Sequence, residues 1–309
     1  MWLKRGLICA PRMTDWWNQS HCYCPTPMIM EDRIRVFYAS WDKDNRGRIT
    51  YCDLDKFDPS IILYHHDRYV LDIGEPGFFD CDGVGPSYIM KFDEYIRMYY
   101  FGFQRTSNPN ATLVFCGIAN SIDDGNTFVK YSDVPILDRV AHEIGLRSSV
   151  SVLDDDGRFK VWYTGDVGGW SYTDGKLFSK SKYPKYSIRY IESENGILFK
   201  GNGLISLSLE GDEFALGRPW VIKEGDVYKM WYSKRGVSSL YKIGYAESKD
   251  GKVWKRLDNY EETQFYGENE FWDSEMQCFP AIVKINDEKY MFYNGNNHGK
   301  YGFGLSTWE

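Results

Sequence analysis

The sequence predicts an all-β fold, a five-bladed β-propeller in which an N-terminal strand completes the last blade. Three observations support this prediction. Tyr, Phe and Trp make up 17% of the 309 residues, and aromatic side chains favour β-strands. One layout of strands repeats five times along the chain, and no long segment has helical periodicity. The chain begins with a strand outside the repeats, and the last repeat lacks its fourth strand.

Each repeat opens with an apolar strand led by proline or serine, and a strand rich in aromatic residues follows. In the fourth repeat these strands are Pro219–Lys223 and Tyr228–Ser233. The openers are separated by 59, 63, 70 and 61 residues, which fits one four-stranded sheet per repeat with loops of variable length. The five openers are Pro27, Pro86, Ser149, Pro219 and Pro280.

The N-terminal segment, residues 1–11, is predicted to close the last blade. Its segment Trp2-Leu-Lys-Arg-Gly-Leu7 is similar to Trp254-Lys-Arg-Leu257, the fourth strand of the fourth repeat. A fourth strand supplied in this way covers an edge that would otherwise be open to pairing with another chain. Because no linker-like segment interrupts the repeats, residues 1–309 are expected to form a single domain.

Composition excludes several classes of function. The net charge is −7 and no Lys/Arg-rich block occurs, so nucleic acid is not expected as a partner. No apolar segment is long enough for membrane insertion, and the N-terminal apolar run is too short for a signal peptide. The seven cysteines are an odd number, scattered through strand-like segments, which predicts reduced thiols in a cytoplasmic protein. Cys22 and Cys24 lack a second pair at zinc-site spacing, and we expect neither a metal nor a cofactor.

Polar residues recur six positions before the openers. In a propeller the first strand of each blade lines the central channel, so residues just before it are expected at one mouth of the channel. Crowded carboxylates there would raise a pKa, and glycoside hydrolysis uses an acid and a base. The alternative is that these side chains cap turns in solvated loops. The residues at or beside this register are His21, Asp80, Asp82, Glu143, Glu213, Asp273 and Glu275.

Basic, aromatic and amide side chains near the same register are candidates for substrate binding. Arginine offers forked donors to sugar hydroxyls, although ion pairs with Glu143 or Glu213 are an equal alternative. Tryptophans in loops can stack on a sugar, or simply pack the loops. A polar segment between the second and third strands of the fifth repeat is predicted at the same mouth. The candidates are Arg147, Trp170, Arg218, Trp272, Asn296 and His298.

Several blocks of sequence carry a resemblance to a known superfamily. The chain resembles the five-bladed propeller glycoside hydrolases, which include arabinanases, β-xylosidases, invertase-like fructosidases and mannoside phosphorylases. It is most similar to glycosylase-like proteins that accompany capsule or O-antigen biosynthesis genes. The likeness spans essentially the whole chain. Its blocks include Arg48–Asp53, Ile136–Arg139, Arg218-Pro219, Met230–Ser233, Ile243–Ser248, Trp272–Met276 and Tyr293–Asn296.

The resemblance implies three acidic catalytic groups, from the first, second and third blades. Asp80 or Asp82 matches the second group, and Glu143 matches the third, the general acid. The first group has no counterpart, because His21 stands in its place. Glu213, Asp273 or Glu275 would then supply the base.

The predicted function is glycosidase-like, acting by carboxylate acid/base catalysis on a glycosidic bond of a saccharide related to bacterial surface polysaccharides. Two alternatives stay open. The missing first acid fits a non-catalytic carbohydrate-binding propeller. It also fits a glycoside phosphorylase or transferase, because phosphate itself can attack; Arg147, Arg218 and Lys300 are candidates to bind that phosphate.

Overall fold

The computed structural model describes residues 1–106, 112–168 and 184–309, and the backbone alone of 170–173 and 176–179. The fold is all-β in these segments, with two single-turn helices: a 3-10 turn at Glu261–Thr263 and an α-helical turn at Asn296–Gly299. No helix in the described segments is long and apolar enough to cross a membrane.

Antiparallel pairing divides most strands into consecutive groups of four. The first group contains β2 (Ser20–Ile29), β3 (Arg33–Trp41), β4 (Gly47–Asp55) and β5 (Ile62–His65). The second contains β6 (Gly83–Lys91), β7 (Ile96–Arg105), β8 (Thr112–Ser121) and β9 (Val129–Lys130).

The third group includes β10 (Leu146–Asp155), β11 (Arg158–Asp166), β14 (Tyr186–Ser193) and β15 (Leu204–Leu207). A separate hairpin, β12 (Trp170–Thr173) and β13 (Lys176–Ser179), lies between β11 and β14 in the chain. The fourth group contains β16 (Glu213–Glu224), β17 (Val227–Gly236), β18 (Lys242–Ser248) and β19 (Lys255–Arg256).

The last group pairs three C-terminal strands with the N-terminal strand. Its strands are β21 (Cys278–Ile285), β22 (Glu288–Asn294), β23 (Phe303–Trp308) and β1 (Trp2–Cys9), with β20 (Phe265–Tyr266) beside β1. The pairing of β1 with β23 is antiparallel and places Trp2 opposite Trp308. The indole nitrogen of Trp2 donates to the carbonyl oxygen of Glu262 at 2.9 Å. The sequence similarity of residues 2–7 to the fourth strand of another repeat therefore predicts their pairing correctly.

Apolar clusters fill the spaces between neighbouring groups. Side chains from the first and second groups pack together, as do those of the second and third, third and fourth, and fourth and last groups. Another cluster joins the last group to the first, and it includes Cys9, Cys22, Phe292 and Leu305. The central strand of each group supplies buried aromatic residues on both faces, which is why the second strands of the repeats are so rich in Tyr, Trp and Phe.

Every first strand has a register shift near its predicted opener. At four of them the chain takes the left-handed conformation, with φ between 51° and 56°. Such bulges bend a strand and re-aim its side chains. The four residues are Cys24, Ser149, Arg218 and Phe279.

Candidate functional site

A cavity of about 450 Å³ lies where the first strands approach one another. The bulge residues Cys24, Ser149, Arg218 and Phe279 all line it. The bulges therefore turn one residue from each of four strands towards a common space. Aromatic side chains form much of the remaining wall, and these include Trp41, Phe101, Phe103, Tyr23, Tyr186 and Tyr241. A cavity of this size with aromatic walls and a few polar groups is typical of a small-molecule site.

Asp166 is the one carboxylate among the described residues that line this cavity. It ends β11 and is 2% exposed. Its Oδ2 accepts hydrogen bonds from the backbone N–H groups of Gly145 (2.6 Å) and Leu146 (2.9 Å). Its Oδ1 is buried and has no hydrogen-bond partner in the described part of the chain. Oδ2 is thus held by the backbone, whereas Oδ1 is buried without a hydrogen bond in the described segments; the backbone N–H of Gly168 also contributes to lowering the pKa of this carboxyl group.

The environment of Asp166 favours its protonated form. Burial raises the pKa of this carboxyl group, and the negative charge of nearby Glu143 raises the pKa further, against the lowering effect of the backbone donors. A protonated Asp166 would carry its proton on a group that faces the cavity. A raised pKa is one way in which a carboxyl group is prepared to donate a proton.

Two neutral imidazoles belong to another part of the site: His298 lines the cavity, and His21 lies behind Trp41, which also lines it. The ring of His21 stacks on Trp41 with 4.0 Å between ring centroids. Its pKa is lowered to about 4, chiefly by burial and then by the positive charges of His298 and Lys300. His298 lines the cavity itself, and burial followed by the charge of Arg235 lowers its pKa as well. Near pH 7 each ring is neutral and retains one nitrogen that can accept a proton.

The predicted acids Asp80, Glu143 and Asp273 are fully buried and share one kind of environment. None of them lines the cavity. Each carboxylate accepts a hydrogen bond from the tyrosine that ends the aromatic motif of the second strand in its own sheet, and each also has a cationic partner. The contacts are Asp80 with Tyr100 (3.0 Å) and Lys130 (2.7 Å), Glu143 with Tyr163 (2.7 Å) and Arg147 (3.3 Å), and Asp273 with Tyr293 (2.8 Å) and Lys4 (2.9 Å).

Other predicted acids lie outside the cavity lining. Glu213 makes two hydrogen bonds to Arg256, at 2.7 and 2.8 Å. The carboxylate of Asp82 accepts the backbone N–H of Arg105 at 2.7 Å. Glu275 is exposed. The structure therefore does not gather the acids of the predicted register around one space, and their catalytic roles stay predictions.

The predicted binding residues divide into two sets. Arg218 and His298 line the cavity. Arg147 is buried against Glu143, and Trp272 packs on Tyr293 with 5.1 Å between ring centroids. Asn296 is buried, where its side-chain oxygen accepts the backbone N–H groups of Glu275 and Met276. Trp170 begins β12, and its side chain is outside the described residues.

Arg218 connects three groups of strands. Its guanidinium donates to the carbonyl oxygen of Ser87 on β6 and to the hydroxyl of Thr26 on β2. It is 2% exposed. Burial lowers the pKa of this arginine, but a guanidinium stays charged at any physiological pH. Arg218 therefore fixes the relative positions of first strands that line the cavity.

Sequence reasoning missed a second register, three residues after the last tyrosine of each aromatic motif. In four repeats this position lies in the last residues of the second strand, and in the fifth repeat it lies just beyond the strand, in the helical turn. Four of the five residues at this position line the cavity, whereas the register upstream of the first strands contributes none in the described segments. The residues are Trp41, Phe103, Asp166, Arg235 and Asn296, and Asn296 is the exception.

No three His, Cys, Asp or Glu side chains are placed to hold a metal ion in the part of the chain that the structure describes.

Comparison with known proteins identifies full-length relatives and a set of similar folds. No protein-family model matches the chain. The uncharacterized protein Rv1502 of Mycobacterium tuberculosis (strain ATCC 25618 / H37Rv) is 29% identical over 311 residues, covering 100% of this chain and 99% of the relative. A glycosyl hydrolase from Bacteroides ovatus superimposes with a TM-score of 0.76 at 13% identity, over 100% of this chain and 94% of the other.

A second structure comes from work showing that the GH130 family of mannoside phosphorylases contains glycoside hydrolases that target β-1,2 mannosidic linkages in Candida mannan. It superimposes with a TM-score of 0.74 at 14% identity, over 100% of this chain and 94% of the other. At these identities the likeness concerns the fold. The chain therefore has the all-β, propeller-like fold of these glycoside hydrolases and phosphorylases.

Proposed function

We propose that this protein is a glycosidase-like enzyme that acts on a glycosidic bond of a saccharide bound in the aromatic cavity, with Asp166 as the proton donor. One observation carries the proposal: Asp166 lies in the cavity wall with Oδ2 held by backbone donors and Oδ1 unpartnered among the described residues. The fold shared with glycoside hydrolases supports it. The aromatic walls suit the C–H faces of sugar rings.

In this proposal the carboxyl group of Asp166 protonates the leaving oxygen as the glycosidic bond breaks. A water molecule attacks the anomeric carbon and transfers its proton to the neutral ring of His298. The carboxylate and the imidazolium formed in this way return to their resting states by proton exchange with solvent. General acid and base groups of this kind contribute about 10²–10⁴-fold each to a rate.

Glu143 has a supporting part here. Its predicted role as the general acid remains untested, but its position favours a different one, because Tyr163, Arg147 and Arg189 surround a carboxylate that is 0% exposed. Its charge raises the pKa of Asp166. We therefore propose Glu143 as a positioning residue that helps to raise the pKa of Asp166.

The test is the Asp166→Asn variant, assayed against saccharides of bacterial capsule and O-antigen pathways. Asn retains the hydrogen bonds from the backbone but has no acidic proton, so turnover should fall by about two orders of magnitude or more while saccharide binding persists. Asp226→Asn is the matched control, because Asp226 is exposed in the turn between β16 and β17 and lies outside the cavity lining. A fully active Asp166→Asn variant would overturn the assignment of the proton donor.

A non-catalytic carbohydrate-binding protein is the second candidate. The presence of a single carboxylate in the described cavity wall favours it, because conventional glycoside hydrolysis uses two carboxylates across the scissile bond. Calorimetry that shows saccharide binding by the wild-type protein, without cleavage or phosphate-dependent turnover over the same panel, would support this candidate.

We also propose that the groups of strands are the five blades of one ring and that residues 1–309 form one domain. The apolar cluster between the last group and the first supports closure. The proposed substrates are saccharides related to bacterial surface polysaccharides, and the proposed location is the cytoplasm. All seven cysteines are free in the structure, which is compatible with a reducing compartment.

A further inference from the structure

The charges around the cavity differ in sign from the charge of the whole chain. The protein carries a net charge of −7. The described cavity lining nevertheless contains three cationic side chains, Lys185, Arg218 and Arg235, against the single carboxyl group of Asp166. A concentration of positive charge inside an apolar wall attracts anions, because the low-dielectric surroundings screen the charge weakly.

Arg235 is placed to bind a ligand. Its guanidinium lies over the rings of Phe214 and Tyr241, 5.3 and 5.4 Å from their centroids. No carboxylate in the described segments lies within ion-pair distance of it, whereas Arg35, Arg147 and Arg256 are each paired with an acid. An arginine stacked on aromatic rings keeps its in-plane N–H donors free for a carboxylate or phosphate group.

Arg235 and Lys185 belong to one continuous patch beside the proposed proton donor. The hydroxyl of Tyr241, beneath Arg235, is hydrogen-bonded to the hydroxyl of Tyr186. Tyr186 follows Lys185 in the chain and is the cross-strand partner of Asp166. Lys185 has an exposed side chain. Lys185, Asp166 and Arg235 therefore line the same cavity and are connected through Tyr186 and Tyr241.

Positive charges also act on the two histidines. The charge of Arg235 contributes to the lowered pKa of His298, and Lys300 contributes to that of His21. The positive charge of Arg235 therefore extends to the part of the cavity wall that carries His298.

We propose that the saccharide bound in this cavity carries a carboxylate or phosphate group, which Arg235 and Lys185 bind while its ring packs against the aromatic wall. The inference rests on the proposed function, because it assumes that the cavity receives a saccharide. It adds the substrate class, an anionic sugar. Because Arg235 adjoins the strand pair of Asp166 and Tyr186, the charged group lies close to the bond that is cleaved.

The experiment is isothermal titration calorimetry on the Asp166→Asn protein, which leaves the ligand intact. The probes are matched pairs: methyl glucuronide against methyl glucoside, and glucose 1-phosphate against glucose, with inorganic phosphate alone as a further arm. We expect at least one anionic member to bind tenfold or more tightly than its neutral partner. In an Arg235→Gln background that preference should fall at least tenfold, with binding of the neutral sugar unchanged.

The matched control is Arg158→Gln, which removes an exposed arginine that pairs with Glu192 outside the cavity. It should keep the full preference for the anionic sugar. Equal binding of charged and neutral sugars would overturn this inference and leave the proposed function standing, whereas failure of every sugar to bind would overturn both. If inorganic phosphate binds as tightly as glucose 1-phosphate, the cavity recognises free phosphate. The inference that the bound saccharide itself carries the anionic group would then be wrong.

Discussion

The hydroxyl of Tyr163 donates a 2.7 Å hydrogen bond to Oε2 of Glu143, across the start of one sheet. The last tyrosine of the aromatic motif makes the same kind of contact with a carboxylate in three other repeats, at 2.7 to 3.0 Å. A cation accompanies each carboxylate. These contacts tie the loop or strand at the edge of each sheet to its central strand, and they account for buried acids that lie outside the cavity. The other pairs are Tyr100 with Asp80, Tyr232 with Asp258 and Tyr293 with Asp273.

Replacing Tyr163 with Phe should destabilise the protein by about 1–3 kcal/mol, because a buried carboxylate loses a donor while its burial is unchanged. Urea denaturation would measure the change in the free energy of unfolding. Tyr131→Phe is the control, since Tyr131 is an exposed tyrosine. Equal stability of the two variants would contradict a stabilising role for the hydroxyl of Tyr163.

Replacing Glu143 with Gln should move the alkaline limb of the pH–activity profile to lower pH. The charge of Glu143 raises the pKa of Asp166, so neutralising it lowers that pKa, and Asp166 loses its proton at a lower pH. The profile of kcat/KM against pH measures this shift. Glu192→Gln, which affects an outer ion pair with Arg158, should leave the limb in place. An unmoved limb in Glu143→Gln would argue against coupling between the two carboxyl groups.

Lowering the pH from 6.5 to 4 should destabilise the protein in part through His21. The pKa of His21 is about 4 in the folded chain against 6.5 for the free side chain. In this window the unfolded chain therefore binds more protons, and acidification favours unfolding. His21→Asn should reduce the loss of stability by about 1–3 kcal/mol, and asparagine tolerates the left-handed backbone at this position.

Thermal and urea unfolding at several pH values would measure the effect of His21→Asn. The exposed His142, also in the left-handed region, provides the control variant His142→Asn. The free energies of unfolding of the two variants should differ between pH 4 and 6.5. If both variants show the same dependence of stability on pH, His21 is not a source of the destabilisation by acid.

Replacing Trp2 with Ala should destabilise the protein by about 3–5 kcal/mol, because it removes a fully buried indole from the N-terminal strand. Trp2 packs on Trp231 and Trp308 with centroid distances of 6.2 and 5.1 Å. Trp16→Ala is the control, since Trp16 is 58% exposed. A stability loss no larger than that of Trp16→Ala would show that the N-terminal strand contributes little.

The strands were predictable because their signals are local and repeated. The openers Pro27, Pro86, Ser149, Pro219 and Pro280 all lie in the first strands of their groups. The strands begin earlier than these residues, however, and a register shift follows or precedes each opener. A bulge changes which side chains face the cavity, so a fixed offset counted back from an opener does not select cavity residues.

The candidate site was less predictable for the same reason. Glu143 and Asp80 come before the bulge and bond within their own sheets, whereas Asp166 lies at the end of a second strand, where no offset from the openers was counted. Counting three residues on from Tyr163 would have found it. The unpartnered Oδ1 and the raised pKa of Asp166 depend on tertiary contacts that no sequence pattern reports.

The pairing of β1 with β23 also has a consequence for biosynthesis. Within these 309 residues β1 is synthesised before every other strand, whereas its partner β23 is synthesised after them. One edge of β1 therefore stays unpaired while the other sheets are made. The contact between Arg5 and Thr307 joins residues 302 positions apart. Such non-local pairing slows folding, so we expect β1 to be exposed to aggregation, and to capture by chaperones, for longer than the other strands.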